Sequence, residues 1–157
     1  AVLRNCRAEC MHTAIETSFF APWETVKSIL PYVNLAFVDM KFFSNDLHKQ
    51  HTGVDNALIK QNLLATNELE DKFQLVIRTP IVPGLNDSEE ELCKIGEFCT
   101  KLKKLSYVQL LPYHKLGTAT YEKLGRTYAL PDVKSPTPNQ MAGYVKIIER
   151  YVENVIF

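Results

Sequence analysis

Two hydrophobic periods alternate along this chain, and that alternation limits the folds open to it more than any other feature. Four short runs, 12–18, 34–41, 73–80 and 107–114, are rich in β-branched, aromatic or large aliphatic residues and read as strands. Between and after them the apolar residues recur at helical spacing. Pro22 and Trp23 open a helix over about 22–30, where a proline suits the first turn because its missing N–H would have no helical partner. A second helical pattern covers about 55–69. Ser88 with Glu91 three residues on forms a capping-box pattern ahead of Leu92, Ile95, Phe98 and Leu102, which predicts a helix over about 88–105. Met141, Val145, Ile148 and Val152 share one face of a last helix over about 137–152. Strand and helix in turn imply βαβ units and a parallel sheet, so the fold class is α/β, as an open sheet or as part of a (β/α) barrel.

The chain has 157 residues, 46% of them hydrophobic and 23% charged, enough to bury the core of one domain. Residues 1–157 are therefore read as a single unit, with the Gly- and Pro-bearing stretch 117–138 as an irregular connection inside it. Eighteen basic residues balance eighteen acidic ones, which gives no electrostatic footprint for nucleic acid or an anionic membrane. No apolar run reaches the roughly 18 residues of a membrane span, and the start lacks a signal-peptide pattern, so a cytoplasmic protein is expected. The chain starts without Met, in a stretch with Val2, Leu3 and Cys6 at helical spacing, as if cut from something longer.

The four cysteines, Cys6, Cys10, Cys93 and Cys99, fall in two helix-like stretches and are expected to be reduced thiols. Cys6-x-x-x-Cys10 matches the first half of a Cys-x-x-x-Cys-x-x-Cys cluster loop, but Thr13 stands where the third cysteine belongs. Two half-buried thiols on one helix face are expected instead. His48 and His51, three apart on a short helix, have no third metal ligand nearby in sequence and are expected on a solvated face.

Polar residues collect at the strand ends, where parallel α/β folds place their chemistry. The runs end Glu16-Thr17-Ser18, Asp39-Met40-Lys41, Arg78-Thr79-Pro80 and Tyr113-His114. Side chains alternate faces along a strand, so Asp39 and Lys41 share a face with Leu35 and Phe37. Taken singly, Asp39 and Lys41 read as a surface ion pair, Arg78 as a partner for a helix end or a carboxylate, and His114 as a loop histidine. Four such endings on four consecutive strands favour a common site. Pro83-Gly84-Leu85-Asn86-Asp87 is explained as turn chemistry ahead of the Ser88 helix.

These segments also carry a resemblance. His12-Thr13-Ala14-Ile15-Glu16-Thr17-Ser18, Val38-Asp39-Met40-Lys41, His51-Thr52-Gly53-Val54-Asp55-Asn56, Ile77 through Asp87, and Leu110-Leu111-Pro112-Tyr113-His114-Lys115-Leu116-Gly117 follow in order. Together they resemble the back half of the glycyl-radical-enzyme activating enzymes of the radical S-adenosylmethionine (SAM) superfamily, such as those of pyruvate formate-lyase. The resemblance implies a partial, six-stranded (β/α) barrel of the radical SAM type, of which this chain supplies about four parallel strands, three to six.

It further implies that Asp39, Met40, Lys41 and His114 serve SAM, with Glu16 and Arg78 as additional cofactor-binding residues. Phe19 stands where the family usually has glycine and is expected to crowd its loop and shift Ser18. The cluster cysteines are expected upstream of Ala1, so no metal ligand and no catalytic residue is assigned here. The implied cofactors of the full-length enzyme are SAM and a [4Fe-4S] cluster, neither expected on this chain alone, which is expected to be inactive. The implied partners are a glycyl radical enzyme, pyruvate formate-lyase or a relative, and an electron donor such as flavodoxin or ferredoxin. Two other functions fit the residues less well, a Schiff-base aldolase-like barrel using Lys41 and a non-enzymatic binding module.

Overall fold

The computed structural model describes residues 1–157. Helix α1 (Val2–Ala8) precedes strand β1 (Ala14–Thr17), and α2 (Trp23–Ile29) leads through a short 3-10 turn to β2 (Leu35–Asp39). Two helices, α3 (Asn45–Thr52) and α4 (Ala57–Ala65), come before β3 (Gln74–Ile81). After α5 (Glu89–Cys99) and β4 (Leu105–Pro112) follow α6 (Thr118–Lys123), α7 (Pro138–Ile148) and β5 (Val155–Ile156).

All neighbouring strands are parallel and the sheet order is β1-β2-β3-β4-β5, with β1 and β5 at the edges. This is an α/β partial barrel. It holds five strands and not the four expected, because Val155-Ile156 is too short to show a period of two.

Strand alternation divides the sheet into two faces. Ala36 and Val38 of β2 with Met40 just past its end, Leu75 and Ile77 of β3, and Val108 and Leu110 of β4 are buried against the helices. Leu30, Ile59, Leu63, Leu92, Ile95, Met141 and Ile148 meet them there. Leu35, Phe37 and Asp39 of β2 are only half-buried and alternate with the core positions, so they lie on the opposite, open face. Register carries this face across the sheet. Glu16 pairs with Phe37, Phe37 with Val76 and Val76 with Tyr107, and one layer further on Asp39 pairs with Arg78 and Arg78 with Gln109.

Several local expectations change in the fold. The helix expected over 88–105 ends at Cys99, because Leu105 already begins β4 and the residues between must turn the chain. The stretch 117–138 contains a helical turn, α6. Cys10 lies beyond the end of α1 with φ 56° and is exposed, so it does not share a helix face with Cys6. On α5, Cys93 is half-buried and Cys99 buried.

Ser88 accepts a hydrogen bond from the Glu91 backbone N–H at 3.2 Å. The Glu91 carboxylate does not return it. It is buried and accepts instead from the backbone N–H groups of Phe43 and, at 3.1 Å, Ser44, across the gap to the start of α3. The reciprocal capping box occurs at Thr137 and Gln140, at the start of α7.

Candidate functional site

The open face gathers its polar groups at the C-terminal ends of β1, β2 and β3. Arg78 is the centre. Its Nε donates to Asp39 Oδ1 at 3.0 Å and its NH2 group to Glu16 Oε2 at 3.0 Å, while the guanidinium lies 5.3 Å from the centre of the Phe37 ring. Lys41 Nζ stands 3.6 Å from the other oxygen of Asp39. Four of the sequence-predicted residues therefore form one chain of charges, Glu16–Arg78–Asp39–Lys41.

The Arg78 side chain is 15% exposed and the Lys41 side chain 42%, so the arginine is the fixed member and the lysine the one free to reach outward. The hydrogen bond and charge of Arg78 hold the Glu16 carboxyl below the usual carboxylate range, and the two carboxylates in turn raise Arg78.

Backbone placement of these groups rests on three buried amides. Asn86 donates from Nδ2 to the carbonyls of Lys41 and Pro80, each at 2.7 Å, and accepts from Val82 N–H at 2.8 Å, which ties the end of β3 to the end of β2. Asn56 donates to the carbonyls of Phe42, at 2.5 Å, and Phe43, at 3.2 Å. Asn62 holds the carbonyls of Phe19 and Ala21, each at 2.8 Å. The Pro83–Asp87 turn thus does more than reverse the chain, since its Asn86 positions Lys41. Asp87 accepts from Gly84 N–H and from the Tyr144 hydroxyl at 2.9 Å, which pins the turn to α7.

The remaining expectations fare differently. Met40 turns its side chain into the core at 1% exposure, with its N–H donated to Arg78 O and its carbonyl accepting from Thr79 Oγ1. It holds the register of Asp39 and Lys41 and presents no side chain to the open face. His114 lies past the end of β4, exposed, with Nδ1 accepting from Leu116 N–H at 3.4 Å, outside the four-charge chain.

Phe19 does not crowd its loop. Its φ of 55° is left-handed, the conformation glycine favours, yet its ring is 1% exposed in the core. Left-handed backbone costs a non-glycine residue about 1–2 kcal/mol, and burying a phenylalanine returns about 1.5–3 kcal/mol, so burial wins.

His48 overturns the expectation of a solvated histidine. It is 4% exposed, and Nδ1 lies 2.7 Å from the Val54 carbonyl. His51 is exposed and stacks on Phe42 at 5.1 Å, and neither histidine has two further metal ligands beside it.

Two clefts flank Lys41. One, of about 330 Å³, has Phe42, His51, Leu85 and Asn86 on one side and Tyr121, Tyr128 and Leu130 on the other. The second, of about 150 Å³, is lined by Ser18, Phe20, Asp39, Lys41, His48, Thr52, Val54 and Ile59. The Tyr113 hydroxyl is bonded to that of Tyr128, which holds the segment after α6 down beside the larger cleft.

The chain is 35% identical over 150 residues, 96% of its length, to the indoleacetate decarboxylase activating enzyme of Tractidigestivibacter scatoligenes. It is 38% identical over 133 residues, 85% of its length, to the isethionate sulfite-lyase activating enzyme of Nitratidesulfovibrio vulgaris. This chain belongs to the glycyl-radical-enzyme activating enzymes.

A third relative among these activating enzymes, that of 4-hydroxyphenylacetate decarboxylase from Clostridium scatologenes, is 39% identical over 127 residues, or 81% of the chain. The chain spans about half the length of the curated relatives it matches, 47%, 43% and 40% in these three. No family model matches it. In fold it matches a domain of the pyruvate-formate lyase-activating enzyme of Bacteroides vulgatus, with a TM-score of 0.79 and 24% identity over 99% of this chain and 87% of that one. A radical SAM methyltransferase from Sphaerobacter thermophilus shares the fold at a TM-score of 0.61 and 14% identity, over 95% of this chain and 42% of the other.

Proposed function

We propose that the full-length protein carrying this chain is a radical SAM activating enzyme that installs a glycyl radical on a partner enzyme. The observation that carries this reading is the Glu16–Arg78–Asp39–Lys41 chain on the open face, beside a cleft on either side of Lys41. The amino-acid end of SAM bears an ammonium and a carboxylate, and its ribose bears hydroxyls. Carboxylates and cations set side by side match that set of groups by charge-assisted hydrogen bonds.

Lys41 is the donor available to the ligand's carboxylate, since Arg78 is already engaged on both sides. Asp39 is the acceptor for its ammonium or hydroxyls, and Arg78, itself held by Glu16, orients Asp39. His114, exposed just past the end of β4, is the further residue of this set that the family resemblance assigns to SAM.

The chain's own residues do not make a [4Fe-4S] site. Cys6 and Cys10 lie at and after α1, Cys93 and Cys99 on α5, and no three potential ligands converge. The cluster thiolates would come from elsewhere in the full-length protein. When bound, the reduced cluster would supply the one electron that splits SAM into methionine and a hydrogen-abstracting radical for the partner's glycine, with flavodoxin or ferredoxin as the electron donor, while Lys41, Asp39 and His114 of this chain would hold SAM.

The test is anaerobic mixing of the reduced full-length protein and SAM with a panel of glycyl radical enzymes. The panel holds pyruvate formate-lyase, indoleacetate decarboxylase, isethionate sulfite-lyase and 4-hydroxyphenylacetate decarboxylase. A glycyl radical spectrum on one member, with release of 5′-deoxyadenosine, is expected. SAM cleavage without a radical on any member removes the activating reading.

A further inference from the structure

His48 is buried for no reason that a solvated helix face would supply, and its two ring nitrogens have different surroundings. Nδ1 is 2.7 Å from the Val54 carbonyl, which can only accept, so Nδ1 carries the proton. The Thr52 hydroxyl, 3.0 Å from the same Nδ1, donates to the His48 carbonyl at 2.7 Å and so faces Nδ1 as an acceptor, which leaves that tautomer in place. Phe42 packs its ring edge-on at 6.4 Å and further fixes the imidazole plane.

Nε2, by contrast, has no partner in the protein and is not among the sealed, unpartnered side-chain polar atoms, which comprise Asn56 Oδ1 alone. The one cleft that His48 lines is the 150 Å³ cleft shared with Asp39, Lys41 and Ser18. An imidazole that is 96% covered therefore opens a single lone pair on a cleft already carrying half of the charge chain.

We propose that His48 is a further ligand-contacting residue of the site, whose Nε2 accepts a hydrogen bond from a donor on the bound SAM. The donor is either a ribose hydroxyl or the α-ammonium. This rests on the SAM reading above.

The chemistry of the cleft narrows what enters it. Its volume lies below the roughly 300 Å³ of pockets that enclose a whole drug-sized ligand, so only a polar portion of the cofactor fits. Asp39 and His48 Nε2 both accept and Ser18 can accept, while Lys41 donates, so the portion must be rich in donors. A carboxylate placed against His48 would meet a lone pair and an acid side chain, which excludes that end of the ligand.

The replacement that isolates Nε2 is His48→Asn, because the asparagine amide reaches the position of Nδ1 and keeps the bond to Val54 O while leaving nothing at Nε2. His48→Gln has the complementary reach and places an amide oxygen near Nε2. In the full-length protein, SAM affinity measured by calorimetric titration is expected to fall for His48→Asn about three- to tenfold where the donor is a ribose hydroxyl and more than about tenfold where it is the α-ammonium. His48→Gln is expected to regain most of it. Circular dichroism and thermal midpoint of both variants report whether α3 is intact.

Two SAM analogues, one without ribose hydroxyls and one without the amino group, identify the donor. The penalty of His48→Asn is expected to vanish for the analogue lacking the donor and to persist for the other, as in a double-mutant cycle. Unchanged SAM affinity in a folded His48→Asn protein overturns the proposal, as does a penalty that persists with both analogues. If the wild-type protein itself does not bind SAM, the functional reading fails and not this contact alone.

Discussion

Glu91 is the residue whose loss should tell most about how the site is held. Its carboxylate is buried and leaves α5 to cap the backbone N–H groups of Phe43 and Ser44, where β2's exit turns into α3. Hydrogen bonds to a charged acceptor contribute about 1.5–3 kcal/mol each. Here both N–H groups share one oxygen, Oε1, so the pair is worth less than twice that, and we take about 3 kcal/mol for Glu91→Ala. For a chain of this length 1 kcal/mol moves the thermal midpoint by about 2–4 °C, so Glu91→Ala should lower Tm by about 6–12 °C. Glu91→Gln keeps an oxygen acceptor at neutral strength and should lose about half as much. Thermal and urea unfolding of the purified protein supply the numbers, and hydrogen exchange at Phe43 and Ser44 shows whether the loss is local. As a control, Glu90→Ala one position earlier breaks only the exposed pair with Lys94 and should leave the midpoint unchanged. A Glu91→Ala protein within about 0.5 kcal/mol of the parent would refute the capping argument, and so would a Gln variant as unstable as the Ala variant.

Lys41→Ala in the full-length protein should weaken SAM binding by about 1.5–3 kcal/mol, roughly ten- to a hundredfold, with iron content unchanged in the same titration samples. Asn86→Ala should weaken SAM binding through displacement of the Lys41 backbone and also destabilise the fold, whereas a variant that lost stability with unaltered affinity would remove Asn86 as a positioning residue. Phe19→Gly relieves a left-handed residue but empties a core position, and a net loss of about 1–4 kcal/mol is expected in urea unfolding, from about 3–5 kcal/mol for the vacated ring less about 1–2 kcal/mol of relief. Burial pushes the Cys99 thiol up to about 12, so Cys99 should resist thiol reagents that label the exposed Cys10. Its folded value lies above the unfolded one near 9, so its contribution to stability is complete below pH 9 and is lost as pH rises from there through about 12, which alkaline unfolding curves would show.

Strand periods and turn residues made the α/β class and four of the five strands legible, because a buried parallel strand needs a run of apolar residues long enough to be seen. Val155-Ile156 escaped because two residues carry no period. The polar strand ends were legible for a related reason: Glu16, Asp39, Lys41 and Arg78 break apolar runs at the same end of each strand. Their joining into one chain of charges needed the register, which places Asp39 opposite Arg78. The partner of Glu91 was not legible, since a capping-box pattern names a local acceptor and says nothing of a helix start 47 residues away that competes for the carboxylate. His48 was misjudged because its helix is short and polar by composition, and only the Val54 carbonyl and the Phe42 ring bring it inside. The burial of the Met40 side chain was legible in parity, since it stands two residues from Val38 and four from Ala36 on the core side.

The order of the strands also bears on how the chain acquires its shape. Each strand pairs only with those just before and after it in sequence, so no ladder waits for a segment more than one βα unit away. During synthesis, at about 5–20 residues per second, each new strand emerges to find its partner's edge already formed. Folding by accretion then adds each strand to the edge left by the one before it, so the growing edge moves across the sheet from β1 toward β5.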